Sequence, residues 1–159
     1  MTSFVDWCRD TNFKLKLNIM LLPKKVKHRK WHTARRNTAR ARVENRGVNI
    51  DFGSFGLKAT TQGRVESKQI ESARKVISRT LGKTGRMWIR IFPDRPFTKK
   101  PAEVKLGKGK GDVQGYCFEV WPGRILFEVD GVTAEIAREA LRKAATKLPV
   151  KCKIIAREE

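Results

Sequence analysis

The residues of this chain best equipped for chemistry are cations rather than the acids, thiols or imidazoles of a catalytic centre. From Lys24 to Arg46 ten residues are Lys or Arg, and Glu44 is the only acid. The run Lys24, Lys25, Lys27, His28, Arg29, Lys30, Trp31 and His32 continues through Arg35, Arg36, Arg40, Arg42 and Arg46. Closely spaced cations follow a phosphate backbone and gain affinity by releasing its counterions, while Trp31 and the arginine planes can stack on unpaired bases. A solvated tail or a localisation signal has the same composition, but charge this dense on a small domain favours RNA contact.

A second candidate is Gly107-Lys108-Gly109-Lys110-Gly111. Glycine lets a backbone approach phosphate closely, and the alternating lysines supply charge without fixing one geometry. The segment matches neither the Gly-x-x-x-x-Gly-Lys-Ser/Thr spacing of a nucleotide-binding loop nor Gly-x-Gly-x-x-Gly. A flexible linker reads equally well on the motif alone. Further basic residues, among them Lys58, Arg64, Lys68, Arg74, Lys75, Arg86 and Arg90, are each expected to be solvated surface charges.

Nothing resembles a catalytic site or a metal site. His28 and His32 sit in the basic run without a carboxylate pair nearby. Cys8, Cys117 and Cys152 are odd in number and far apart, which suits neither a disulfide framework nor zinc-ligand spacing and implies a reducing compartment. Cys152 is expected in the core, Cys117 could lie on either face of its strand, and Asp112, Glu128 and Asp130 are assigned to turns or salt bridges. No cofactor is implied.

The 159 residues carry 36 Lys+Arg against 16 Asp+Glu, a formal charge of +20, on a length that suits one domain with a modest core. Self-repulsion of that size opposes compaction, so a polyanion should stabilise the fold. No long apolar run and no basic amphipathic helix suggests a membrane. Residues 1–19, with Asp6 and Asp10, do not read as a secretory signal.

The elements that must position these groups follow from periodicity. Residues 1–19 form an appendage, and 20–47 a basic arm too polar to order itself alone. Residues 48–159 form one α+β domain. Its expected strands are Val48 to Phe52, Phe55 to Ala59, Arg86 to Phe92, Gly115 to Trp121, Arg124 to Val129 and a last one about Val150 to Ile154. Ser67 is the expected N-cap of a helix through Leu81, ended by Gly82 or Gly85. Thr133 caps a second, to about Lys147, whose apolar stripe is Ile136/Ala137, Ala140/Leu141, Ala144 and Leu148. Pro122-Gly123 is read as a hairpin turn, and 93–113 as a long, functionally suspicious loop. The expected architecture is two helices packed on a mainly antiparallel sheet.

Met20-Leu21-Leu22-Pro23-Lys24, Asp51 to Ala59, Trp88 to Asp94, Gly107 to Gly111, Val129 to Val132 and Ala145 to Pro149 occur in that order. Together they closely resemble the bacterial-type large-subunit ribosomal protein L-sixteen family over Met20 to about Arg157. The resemblance implies an α/β-hammerhead-like fold and a structural, non-enzymatic role that helps organise the aminoacyl-tRNA site near the peptidyl-transferase centre. Implied partners are large-subunit ribosomal RNA, tRNA and neighbouring large-subunit ribosomal proteins, with no membrane and no small-molecule substrate. By position, Lys24, Lys25, Lys27, His28, Arg29, Lys30, Trp31, His32, Arg35 and Arg36 would lie on ribosomal RNA, and the loop of Lys105, Gly107, Lys108, Gly109, Lys110 and Gly111 would face tRNA. Lys105 stands where some relatives carry an arginine that is hydroxylated, so that modification does not transfer. Family members normally begin at the equivalent of Met20, which makes residues 1–19 a misassigned start or a lineage-specific extension. The implied location is the bacterial cytoplasmic ribosome, with an organellar ribosome as the alternative. Rival readings are a nucleotide-binding enzyme using the Gly-Lys loop, which lacks an acidic metal site, and a free-standing RNA chaperone.

Overall fold

The computed structural model describes residues 21–32, 42–105 and 107–157. Within them the element order is β1 (Phe55–Ala59), β2 (Gly63–Glu66), α1 (Ser67–Leu81), β3 (Arg86–Ile89), β4 (Arg95–Lys99), β5 (Asp112–Val120), β6 (Ile125–Asp130), α2 (Ala134–Ala145) and β7 (Cys152–Ala156). The strands form a four-stranded sheet, ordered β3-β6-β1-β7, and a three-stranded sheet, ordered β2-β5-β4. Every pairing is antiparallel. The α+β expectation holds, with two sheets in place of one.

Both helices close over the inner face of the larger sheet because each has an apolar stripe at helical spacing. Ile70, Ala73, Ile77 and Leu81 of α1 meet Ala137, Ala140, Leu141 and Ala144 of α2, above Leu57, Phe127 and Val129. The alanines on α2 let the helices approach closely. Ile136, expected in that stripe, is instead exposed. Glu66, not Ser67, is the N-cap of α1: its carboxylate accepts from the Gln69 backbone while Gln69 Oε1 accepts from the Glu66 N–H at 2.9 Å. Gly82, at φ +67°, ends the helix.

Three further strand expectations are corrected. Gly115–Trp121 and Arg124–Val129 are not hairpin partners, because β5 pairs with β2 and β4 while β6 pairs with β1 and β3. The Pro122-Gly123 turn therefore passes the chain between sheets. The 93–113 segment is not all loop: Arg95–Lys99 is a strand, and Pro96 is tolerated there because β4 is an edge strand that can spare a donor. β2, only four residues long, has no counterpart among the expected strands.

Residues 48–52 form no strand. The N–H groups at their end turn, with that of Gly53, to a side chain: the Glu128 carboxylate accepts from Phe52 at 2.7 Å, from Gly53 at 3.0 Å and from Asp51 at 3.4 Å. A Cβ on Gly53 would sit 2.7 Å from the Val129 carbonyl oxygen, so only glycine allows this approach. The segment from Glu44 onward lies along the outer face of the larger sheet, fixed by Glu44 N–H to Pro122 O and Ile125 N–H to Gly47 O, each 2.9 Å. That cover explains why Glu128, which points outward from β6 opposite Gly56, is fully buried.

Candidate nucleic-acid interface

β4 and β5 form the stem of the Gly-Lys loop, since Lys99 pairs with Asp112 at its base. Gly107, Lys108 and Gly109 have φ of +100°, +53° and +82°, and a Cβ on either glycine would meet nothing within 4 Å. These glycines serve the left-handed backbone rather than close packing. Lys100 Nζ donates to the Gly107 carbonyl across the loop. Lys105, Lys108 and Lys110 are exposed.

The basic arm reaches this stem. Lys30 Nζ donates to the Lys110 carbonyl and to Asp112 Oδ1, both at 3.3 Å, and Lys110 Nζ donates back to the Trp31 carbonyl. Arg95, on β4, donates to the His32 carbonyl at 2.9 Å and lies 5.6 Å from the Trp31 ring centroid. It also pairs with Glu119 at 2.6 Å, and Arg64 of β2 holds the other Glu119 oxygen at 3.0 Å. Of the expected arm residues, Lys30, Trp31 and His32 thus meet the loop stem. Arg29 lies apart from them, with Leu22, Lys68, Lys99 and Tyr116 along an open groove of about 660 Å³. Lys24, Lys25, Lys27 and His28 are exposed, and Arg35 and Arg36 lie outside the described residues.

Several basic residues expected to be solvated are tied to acids. Arg74 reaches Glu71 at 2.7 Å, and that hydrogen bond holds the Glu71 carboxyl below its usual range. Arg90 bridges Asp51, at 2.5 Å, and the fully buried Glu128. Asp112 and Glu128 are in salt bridges, and Asp130 accepts from Ser54 Oγ at 2.6 Å, as their assignment to turns or salt bridges required. The structural weight of Glu128 does not follow from its assignment to a turn or salt bridge. Its signal was a lone carboxylate inside the apolar run Ile125-Leu126-Phe127-Glu128-Val129.

Among the described residues, neither thiol is poised for nucleophilic attack. Cys117 is buried and its pKa is raised by burial; Cys152, packed against the core, is pushed up to about 11 by burial alone. Among the described residues no group of His, Cys, Asp and Glu could hold a metal ion, and no helix is long and apolar enough to cross a membrane.

This arrangement can grip phosphate along the arm and present lysines from the loop. The family described as ribosomal protein L16p/L10e matches residues 23–155. Among curated relatives, the large ribosomal subunit protein uL16 of Halorhodospira halophila is 50% identical over 138 residues, covering 87% of this chain and 98% of the relative. That of Thermosipho africanus is 52% identical, covering 88% and 96%. The corresponding protein of Staphylococcus aureus strain Newman is 54% identical, covering 88% and 94%.

Proposed function

The chain belongs to the ribosomal protein L16p/L10e family and is a structural, non-catalytic component of the large ribosomal subunit, and on that premise we propose that it joins ribosomal RNA to tRNA. The arm, Lys24 to Arg36, lies on large-subunit ribosomal RNA. The loop from Lys105 to Gly111 faces tRNA near the aminoacyl-tRNA site, in a bacterial cytoplasmic ribosome where neighbouring ribosomal proteins complete the contacts.

One observation carries this reading: Lys30, Trp31 and His32 lie directly on the stem of the Gly-Lys loop, in a chain of formal charge +20. One polyanion on the arm and another at the loop would then share a single support. Chemistry at the site belongs to the RNA, and the protein supplies position and charge.

The test has two arms. Log affinity for ribosomal RNA should fall linearly with log salt, with a slope of about 0.9 per phosphate neutralised on a duplex; a flat response refutes a phosphate-based grip. Ribosomes carrying Lys108→Ala with Lys110→Ala should lose tRNA affinity at the aminoacyl site while the free protein keeps its melting temperature. Unchanged tRNA binding overturns the loop assignment.

A further inference from the structure

The outer face of the larger sheet carries an aromatic feature that phosphate binding does not explain. Phe52 is 57% exposed and stacks on Trp88, with ring centroids 6.2 Å apart and planes 21° from parallel. The Arg90 guanidinium carbon lies 4.9 Å from the Phe52 centroid. Trp88 and Arg90 are two residues apart along an extended stretch, so they project from the same face. Phe92, further along, is 44% exposed.

An exposed phenylalanine ordinarily needs no explanation, but this one is held by an expensive device. Burying a carboxylate costs several kcal/mol unless it is paired and hydrogen-bonded. Here the wholly buried Glu128 accepts from the N–H groups of Phe52 and Gly53 and pairs with Arg90, which also grips Asp51. All these contacts converge on the backbone and the underside of one solvent-facing ring. A core function would have buried the ring; this network immobilises it in water.

The local charge decides the class of partner. Arg90 is offset by Glu128 and Asp51, and Arg86 lies opposite Asp130 in the strand register. The guanidinium that lies against the Phe52 ring is therefore neutralised on a strongly cationic chain, and a phosphate gains little from it. A flat aromatic pair with an arginine plane suits the π-face of an unpaired base, whereas the cations elsewhere follow the backbone, which is how single-stranded sites divide the work. We propose that Phe52, backed by Trp88 and Arg90, is a stacking site for an unpaired base of large-subunit ribosomal RNA. This rests on the ribosomal reading above and adds a second, base-directed contact to it.

Large subunits isolated from cells expressing Phe52→Ala or Phe52→Trp protein test it. 2′-Hydroxyl acylation of the ribosomal RNA should rise severalfold at one or two unpaired nucleotides in the Phe52→Ala subunits and return to wild-type level with Phe52→Trp, at equal protein occupancy. An unchanged profile overturns the proposal. If Phe52→Ala fails to enter subunits, p-benzoylphenylalanine in place of Phe52 gives an independent reading: a photo-crosslink to an unpaired nucleotide supports the site, while a crosslink to a neighbouring protein, or none, overturns it. The two hypotheses fail differently, because wild-type protein missing from large subunits would remove the ribosomal reading itself, and this proposal with it.

Discussion

Two regions of this molecule hold polar groups in place, and they do so by opposite means. On the outer face of the larger sheet, a fully buried Glu128 takes several donors and an arginine, so that the Asp51–Gly53 segment is fixed before any partner arrives. At the stem of the Gly-Lys loop, the ties run between exposed lysines and backbone carbonyls, and the Lys30–Asp112 pair has side chains 32% and 90% exposed. Exposed pairs of that kind contribute about 0–1 kcal/mol and are screened by salt. The first region is preorganised by the protein. The second has the contacts to register an arm against a loop but needs a polyanion to make the register firm.

The strongest way to break this contrast is to remove the buried carboxylate. Glu128→Ala leaves the N–H groups of the Asp51–Gly53 segment without their acceptor and Arg90 with Asp51 alone, and loss of one partner from a buried pair costs about 3–5 kcal/mol. Urea denaturation of the free protein should show that loss, and Phe52 should lose its fixed position with it. A change under about 1 kcal/mol would place this network with ordinary surface pairs.

How much of this was legible in the sequence depends on the range of the interaction. The helices Ser67–Leu81 and Ala134–Ala145 were readable because periodic apolar residues and caps are local signals. Phe55–Ala59 and the Arg86 strand showed through alternation. What stayed hidden was which strand meets which: the two residues of Pro122-Gly123 look like a hairpin turn, yet the strands on either side belong to different sheets. Turn chemistry specifies a bend but not the partner across it. Residues 48–52 alternate as a strand does, and only the fold reveals that a side chain from residue 128 supplies their acceptor. The same holds for the site. The arm and the Gly-Lys loop were visible as composition, whereas Arg95, which holds the His32 carbonyl and the face of Trp31, carried no local mark distinguishing it from other arginines.

Arg95 sharpens the comparison from the other side, since it is the least exposed anchor at the loop stem. Its side chain is 15% exposed and holds Glu119, the His32 carbonyl and the face of Trp31. Hydrogen bonds to charged groups contribute about 1.5–3 kcal/mol, so Arg95→Ala should destabilise the free protein by about 1–2 kcal/mol, less than Glu128→Ala. It should also release the arm, seen as faster tryptic cleavage after Lys30. Lys30→Ala should change stability by no more than about 0.5 kcal/mol. If the two substitutions had equal effects, the loop stem would have no anchor and the whole region would depend on RNA.

The smallest expected effect concerns acid, and its sign follows from which carboxyls are shifted. The Glu71 carboxyl is held below 4.5 chiefly by its hydrogen bond from Arg74, and that of Asp130 below 3.8 chiefly by Ser54 Oγ. A group whose folded pKa lies below its unfolded value stabilises the fold above the unfolded pKa, and that contribution disappears as pH falls through the folded one. The melting temperature of the free protein should therefore be level above about pH 5 and decline as pH drops below 4.5 and then 3.8. Arg74→Ala should flatten the earlier part of the decline and Ser54→Ala the later part. Because Asp130 and Ser54 border the preorganised region while Glu71 lies on α1, the two substitutions separate acid sensitivity of the aromatic face from that of the helix layer. An acid response removed entirely by Arg74→Ala would show that the Ser54–Asp130 bond contributes nothing to holding the segment that carries Phe52.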